Sequence, residues 1–575
     1  MLNNKHTGII IIILTAAAVC VCLAAAVFSE QTTDSESTGI TQEYETALFN
    51  TAKPLKINIQ MDENSWEKML ENATSEEYYT CDVEINGETF SDVGIRTKGN
   101  TSLSSIASDP ETDRYSFKLE FDKYSDGQSC YGLDKLILNN NYADATNMKE
   151  AIVYDMYQYL GADASLYNYA SIYINGEYRG VYLALEGVEE SFLERNYGSL
   201  SGNLYKPDSM NMGNMGEGMT KPDKSSAEQS SATKTNESAP KQTENVPNKN
   251  GQSTEPPAIP NNNTADENSE NSGPPAIPDD SSSPAAQNNQ TDGPPAMPND
   301  NGENFSSGGG SDLNYTDDSA DSYSTIWEGS VSDTTDSDHK KVITALKNIS
   351  TGNNLPEYMD IDNLLKYMAV HTFVVNLDSL SGNMSHNYYL YEDDGRLNII
   401  PWDYNLAFGG MGGMGVGGNS DSASSVINYA IDSPFSGTEF FDALLENQEY
   451  ADLYHQYLQQ LTEEYVNGGQ FEKTYNRIRS QIDSLVQKDP TAFYTYDEYT
   501  EAAEMLYNTV KLRAESVDGQ LKGTVPSTDE AQKTQADALI DSSAIDLSVM
   551  GQMNMEGGGK NRVNSDQPNQ TQKPS

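Results

Sequence analysis

From residue 208 to about residue 322 almost every large aliphatic side chain is missing, and Ser, Asn, Asp, Gly and Pro dominate. A stretch of that composition cannot offset its ordering entropy by burial, so it is expected to be a long disordered insertion. Whatever core the 575-residue chain builds must come from the flanks, and one fold has to be assembled across the gap. Within the insertion Pro256-Pro257-Ala258-Ile259-Pro260 recurs as Pro274 to Pro278 and, with Met297 replacing Ile, as Pro294 to Pro298. The copies are too short for a solenoid and suit polyproline-like spacers or docking motifs.

The ends are also poor in core-forming residues. Lys5 and His6 precede Gly8 to Phe28, an uncharged apolar run long enough to cross a bilayer, and Glu30, Asp34 and Glu36 follow it. The pattern predicts either a single-pass membrane anchor with everything from residue 30 outside, or a signal peptide cleaved near Val27 to Ser29. Both place the remainder outside the cytoplasm, at the cell membrane or secreted. Residues 30–53 form a linker and 523–575 a loose polar tail. Cys81 and Cys130 either pair in an oxidising exterior or remain two buried thiols. With 87 acidic against 35 basic residues, the net charge of −52 argues against nucleic acid or an anionic membrane surface as a partner.

The flanks carry mixed periodicity. Leu55 to Met61, Tyr79 to Ile85 and Tyr115 to Phe121 alternate as strands do. Asn175-Gly176 predicts a tight hairpin between Ala170–Ile174 and Tyr178–Leu185. A helix with Met148, Ile152, Met156 and Leu160 on one face is capped by Asp144 and ended by Gly161. After the insertion a helix is expected from about Pro356 to Asn376, then strands Asn387–Tyr391 and Arg396–Ile400 around the turn Glu392-Asp393-Asp394-Gly395. Phe440–Leu445, Ala451–Tyr465, Phe471–Val486 and Tyr496–Leu521 follow as helices. The fold class is therefore α+β, a sheet-rich part leading into a mostly helical one.

Phosphoryl transfer needs a cation for the phosphates, hard oxygen ligands for magnesium and a carboxylate to orient the acceptor. The second half supplies the oxygen groups in order: a helix runs into Asn376-Leu377-Asp378, Ser385-His386-Asn387 stands directly before a strand, and Pro401-Trp402-Asp403 ends the next one. The same residues could serve as a helix-end cap and two turn residues. His386 either orients this loop or faces solvent. The other histidines are scattered, which disfavours a His-based zinc or hydrolase site.

Gly94-Ile95-Arg96-Thr97-Lys98-Gly99-Asn100-Thr101, Ser116-Phe117-Lys118-Leu119-Glu120-Phe121, Tyr173 to Gly176 with Gly180 to Glu186, His386 to Tyr391, and Trp402-Asp403-Tyr404-Asn405 resemble, in family order, segments of the CotH family of spore-coat protein H and its relatives. The resemblance implies a degenerate protein-kinase-like fold of two lobes, a mixed-sheet N-lobe over 54–207 and a helical C-lobe over 323–522. It implies ATP and Mg²⁺ as cofactors and Ser/Thr phosphorylation of Ser-rich secreted, surface or spore-coat proteins, with the chain's own insertion among the candidates. Asp378 matches the catalytic Asp, Asn387 and Asp403 the metal ligands, and Lys118 the phosphate-binding Lys. Glu150, on the 145–160 helix with Asp155, is the expected partner of Lys118, and Glu186 marks the adenine-facing hinge. Two features depart from the kinase pattern. Arg96 and Lys98, in Arg96-Thr97-Lys98-Gly99-Asn100, would replace a Gly-rich loop over the phosphates, and a Gly/Met run at 409–418 follows Asp403.

Two other functions are compatible with the sequence. A surface-display or adhesion protein could keep this fold without catalysis, although it would have no need of Lys118, Asp378, Asn387 and Asp403 together. A glycosidase would require two carboxylates facing each other in a cleft, and no pair stands out.

Overall fold

The computed structural model describes residues 39–208, 308–382, 385–411, 423–435 and 438–553. Ten strands carry the first half and one hairpin of the second: β1 (Leu55–Gln60), β2 (Tyr79–Ile85), β3 (Glu88–Lys98), β4 (Ser116–Glu120), β5 (Lys135–Asn139), β6 (Tyr167–Ile174), β7 (Glu177–Glu186), β8 (Asn203–Tyr205), β9 (Tyr388–Asp393) and β10 (Arg396–Pro401). The first seven close into a barrel in the order β1-β2-β3-β4-β5-β7-β6. Closure is made by parallel pairing of β1 with β6, Leu55 opposite Ala170 through Ile59 opposite Ile174.

This closed barrel corrects the expectation of a kinase-type sheet. Strand alternation explains the closure: Ile57, Ile59, Val83, Ile85, Val93, Ile95, Phe117, Leu119, Leu136, Leu138 and Ile172 fill one buried cluster inside, and closing the sheet leaves no edge to protect. Asn175 and Gly176 take φ of 50° and 88°, as the turn between β6 and β7 requires.

Helices Lys149–Leu160 and Ile361–Val374 pack together in a second cluster, joined by Gln448–Gln459, Gln470–Val486 and Tyr496–Leu521. Gly161 ends the first at φ 68°, and the Asp144 carboxylate accepts from Lys149 N at 3.0 Å at its start. The single helix expected over 356–376 is instead a short turn of helix, Leu355–Tyr358, and the Ile361–Val374 helix capped by Asp360.

Order extends beyond the expected boundaries. Leu313 and Tyr323, within and just after the presumed insertion, are buried, while the Pro repeats lie outside the described residues. In the presumed tail Leu547 and Met550 are buried, Ala145 N donates to Met550 O at 3.1 Å, and Met553 N donates to Gly410 O at 2.8 Å. Cys81 and Cys130 are free and buried.

The membrane assignment also needs correction. Among the described residues no helix is long and apolar enough to cross a membrane. The longest, Tyr496–Leu521, buries one face that includes Leu506, Val510 and Val517 and carries charge on the other. The run Gly8 to Phe28 lies outside the described residues, so no membrane-spanning helix supports a single-pass protein.

Candidate functional site

The alternation that fills the barrel also decorates its outer wall. Because Ile95, Phe117 and Leu136 point inward, Arg96, Lys118 and Ile137 point outward, and the register places them side by side: Arg96 opposite Lys118, Lys118 opposite Ile137. Lys98 continues the row. At its end Gly99, with φ 129°, turns the chain into the helix Thr101–Ser108. A Cβ at Gly99 would lie 2.8 Å from Ser102 Oγ, so the turn needs glycine.

The other wall is built by a three-stranded sheet, β8-β9-β10. Pairing of Tyr388 with Pro401 brings the residues just beyond the β9–β10 hairpin, Asn387 on one strand and Trp402 and Asp403 on the other, to the same open end. Asn387 and Asp403 sit at φ 57° and 61°, left-handed conformations that aim each side chain away from its strand.

Between the walls lies a pocket of about 450 Å³, within the range of small-molecule sites. Arg96, Lys98, Lys118, Asp378, Asn387 and Asp403 all line it, as do Gly99 to Ser102, Ile137, Glu189, Lys206, His386, Trp402 and Met553. Six of the eight residues singled out in the sequence are thus brought together, from three separate parts of the chain.

Asp378 is 8% exposed, and its carboxylate is held from both sides. His386 Nε2 is 2.7 Å from Oδ1, and Asn387 Nδ2 donates to Oδ2 at 3.0 Å and to the Asp378 carbonyl at 2.8 Å. Burial opposes a charge on His386, yet its hydrogen bond to Asp378 and the charge of that carboxylate outweigh burial and raise its pKa. Because Asn387 spends its amide N–H groups on Asp378, its Oδ1 remains an acceptor for a hard cation. Burial pushes Asp403 above the usual carboxylate range, Asp378 adds to the shift, and Lys98 and Lys206 oppose it. Burial and then Asp403 raise Glu150 in the same way.

Asn387 and Asp403 suit magnesium, which takes one or two protein oxygens and completes its shell with phosphate and water. Among the described residues no group of three His, Cys, Asp or Glu could hold a metal alone.

The other two, Glu150 and Glu186, do not line the pocket. Lys118 Nζ pairs at 2.6 Å with Glu189, not Glu150; Glu189 also binds Lys135 at 3.1 Å. Glu150 reaches Lys98 through a relay: it accepts from Asn139 Nδ2 at 2.8 Å, and Asn139 Oδ1 accepts from Lys98 Nζ at 2.9 Å. Asp155 is turned toward Tyr167, Tyr465 and Arg477, away from the pocket. Glu186 is fully buried and structural, since it binds Arg195 at 2.6 Å, the Tyr44 hydroxyl at 2.6 Å and Leu166 N at 3.0 Å. The acid at the pocket comes three residues later.

Sequence reasoning missed Glu189, Lys206, the N-terminus of the Thr101–Ser108 helix and His371. The helix terminus adds backbone donors favourable to an anion, and Gly99-Asn100-Thr101-Ser102 carried that signal. His371 is fully inside, with Nδ1 3.0 Å from the Tyr404 hydroxyl and Nε2 2.7 Å from Ser381 Oγ. It ties the Ile361–Val374 helix to both the Asp378 loop and the residue after Asp403.

A family model described as CotH kinase protein matches residues 95–255 and 296–517, more than half of the chain. No curated protein matches it.

Proposed function

The chain belongs to the CotH kinase family, and from that premise we propose that the pocket binds ATP with Mg²⁺ and transfers the terminal phosphoryl group to a Ser or Thr hydroxyl of a protein. On this reading the barrel and the helical part are the counterparts of the two kinase lobes. The observation that carries the proposal is the meeting of Asp378, Asn387 and Asp403 at one end of a hairpin, opposite an outward row of Arg96, Lys98 and Lys118. In a chain with net charge −52 that row is a local inversion of sign, as polyphosphate binding requires.

Lys118, fixed by Glu189, and Lys98, fixed by Asn139, hold phosphate oxygens, and Gly99 to Ser102 offer backbone donors. Asn387 and Asp403 hold magnesium, which supplies charge neutralisation at the phosphates. Asp378 orients the acceptor hydroxyl. As its oxygen bonds to the γ-phosphorus and the bond to the bridging oxygen of ADP breaks, Asp378 takes the proton, steadied by His386. The acceptor proteins are Ser-rich, and the chain's own insertion offers tethered serines at high effective concentration.

Calorimetry tests the division of labour. Asp403→Ala is expected to abolish magnesium-dependent ATP binding, whereas Asp378→Asn leaves it within about two-fold, because an acceptor-orienting group acts in the transition state. Unchanged affinity in Asp403→Ala contradicts the metal role.

A further inference from the structure

The basic groups of the pocket are not equally occupied. Glu76 pairs with Arg96, Asn139 holds Lys98 and Glu189 holds Lys118. Lys206 differs, because among the described residues no hydrogen bond or ion pair reaches its Nζ. Its contacts are the faces of Tyr389 and Trp402, each ring centroid 5.6 Å away. Lys98 lies 5.5 Å over the same Trp402 ring, so two cations share one aromatic platform.

The backbone fixes this position firmly. β8 runs antiparallel to β9 with Tyr205 opposite Leu390, which delivers the next residue, Lys206, to the same end of the sheet as Asn387 and Asp403. Lys206 N donates to Gly329 O at 2.7 Å. The two segments approach so closely that a Cβ on Gly329 would lie 2.3 Å from Lys206 O. Lys206 shares the pocket with Lys98 and Lys118, and among the described residues no carboxylate bonds its ammonium directly, which leaves that ammonium available to an anion. Burial and then Lys98 push it down to about 8, against the opposing pull of Asp403 and Asp208.

We propose that Lys206 is a phosphate-binding residue of this pocket, a cation brought by the strand that enters the insertion and directed at the polyphosphate chain of a nucleoside triphosphate. The inference rests on the phosphotransfer reading and adds a residue from outside the barrel, so that the pocket grips the phosphates from both walls. A merely structural cation–π contact would not distinguish nucleotides by phosphate number.

The experiment is calorimetry of the full chain with ATP, ADP and AMP in magnesium, for wild type, Lys206→Met and Lys206→Arg. Lys206→Met should lose roughly 10- to 100-fold in ATP affinity, the worth of a charged hydrogen bond, with a smaller loss for ADP and none for AMP. Lys206→Arg should retain most of the ATP affinity. Equal losses for all three nucleotides, or no loss, overturn the inference. A measurement on wild type keeps the test independent of folding: Mg-ATP should protect Lys206 from an amine-acylating reagent, read by peptide mass spectrometry, and AMP should not. Undiminished labelling under saturating ATP also overturns it. A wild-type protein that binds none of the nucleotides overturns the phosphotransfer reading itself, whereas wild-type binding with an indifferent Lys206 overturns only this inference.

Discussion

His371 shows how a buried residue far from solvent can govern the site. Its ring touches the Tyr404 hydroxyl on one side and Ser379 and Ser381 on the other, and Tyr404 in turn is 2.6 Å from the Tyr157 hydroxyl. Burial pushes its pKa down to about 3, from an ordinary value near 6.5. The unfolded chain therefore binds a proton between those values that the folded one refuses. Stability contributed by the neutral ring is complete above about pH 6.5 and is lost as pH falls toward 3. Between pH 4 and 6, wild type should lose up to about 1.4 kcal/mol per pH unit more than His371→Asn in urea unfolding. Parallel pH profiles for the two proteins would contradict this.

Among the elements, the loop between the two long C-terminal helices is pinned to the barrel by one ion pair. Arg114 and Asp489, with side chains 2% and 1% exposed, meet at 2.9 Å, and Asp489 also accepts from Val181 N on β7 at 2.9 Å. Asp489→Ala strands the guanidinium in the interior and should cost about 3–5 kcal/mol in urea unfolding. A cost under about 1 kcal/mol would show that the remaining hydrogen bonds of Arg114, to Asn140 O, Thr491 Oγ1 and Val181 O, suffice without the carboxylate. Neither residue was readable as a pair, since 375 positions separate them. The same limit explains the other gaps. Local patterns such as Tyr79–Ile85, Asn175-Gly176 and Tyr496–Leu521 gave elements close to their observed bounds. The β1–β6 closure, the β8–β9 pairing and the docking of Met550 depend on distant partners. Glu150 was the expected partner as an acid on the 145–160 helix, but Glu189 is what the turn after β7 brings to Lys118. Asp378, Asn387 and Asp403 were legible because a short hairpin joins two of them and the third stands just before it.

For the whole molecule the sign of charge is the main clue. An acidic chain gathers Arg96, Lys98, Lys118 and Lys206 around one pocket, where they face Asp378 and Asp403. Residues 209–307 contribute few core formers, Val246, Ile259 and Ile277 among them. Replacing 213–304 with a short Gly/Ser linker should shift the thermal transition by less than about 2 °C, and a large drop would mean that this segment carries packing. The family match, over residues 95–255 and 296–517, covers both flanks and runs into each end of that segment. The most direct test is phosphate transfer from ATP to a Ser-bearing peptide with magnesium, read by mass spectrometry, in wild type and in Asp378→Asn. Phosphoserine with wild type and a rate roughly 100-fold or more lower in the variant, with ATP binding retained, is the expected result. Equal rates in the two proteins, or no phosphopeptide from a wild type that binds ATP, would contradict the account.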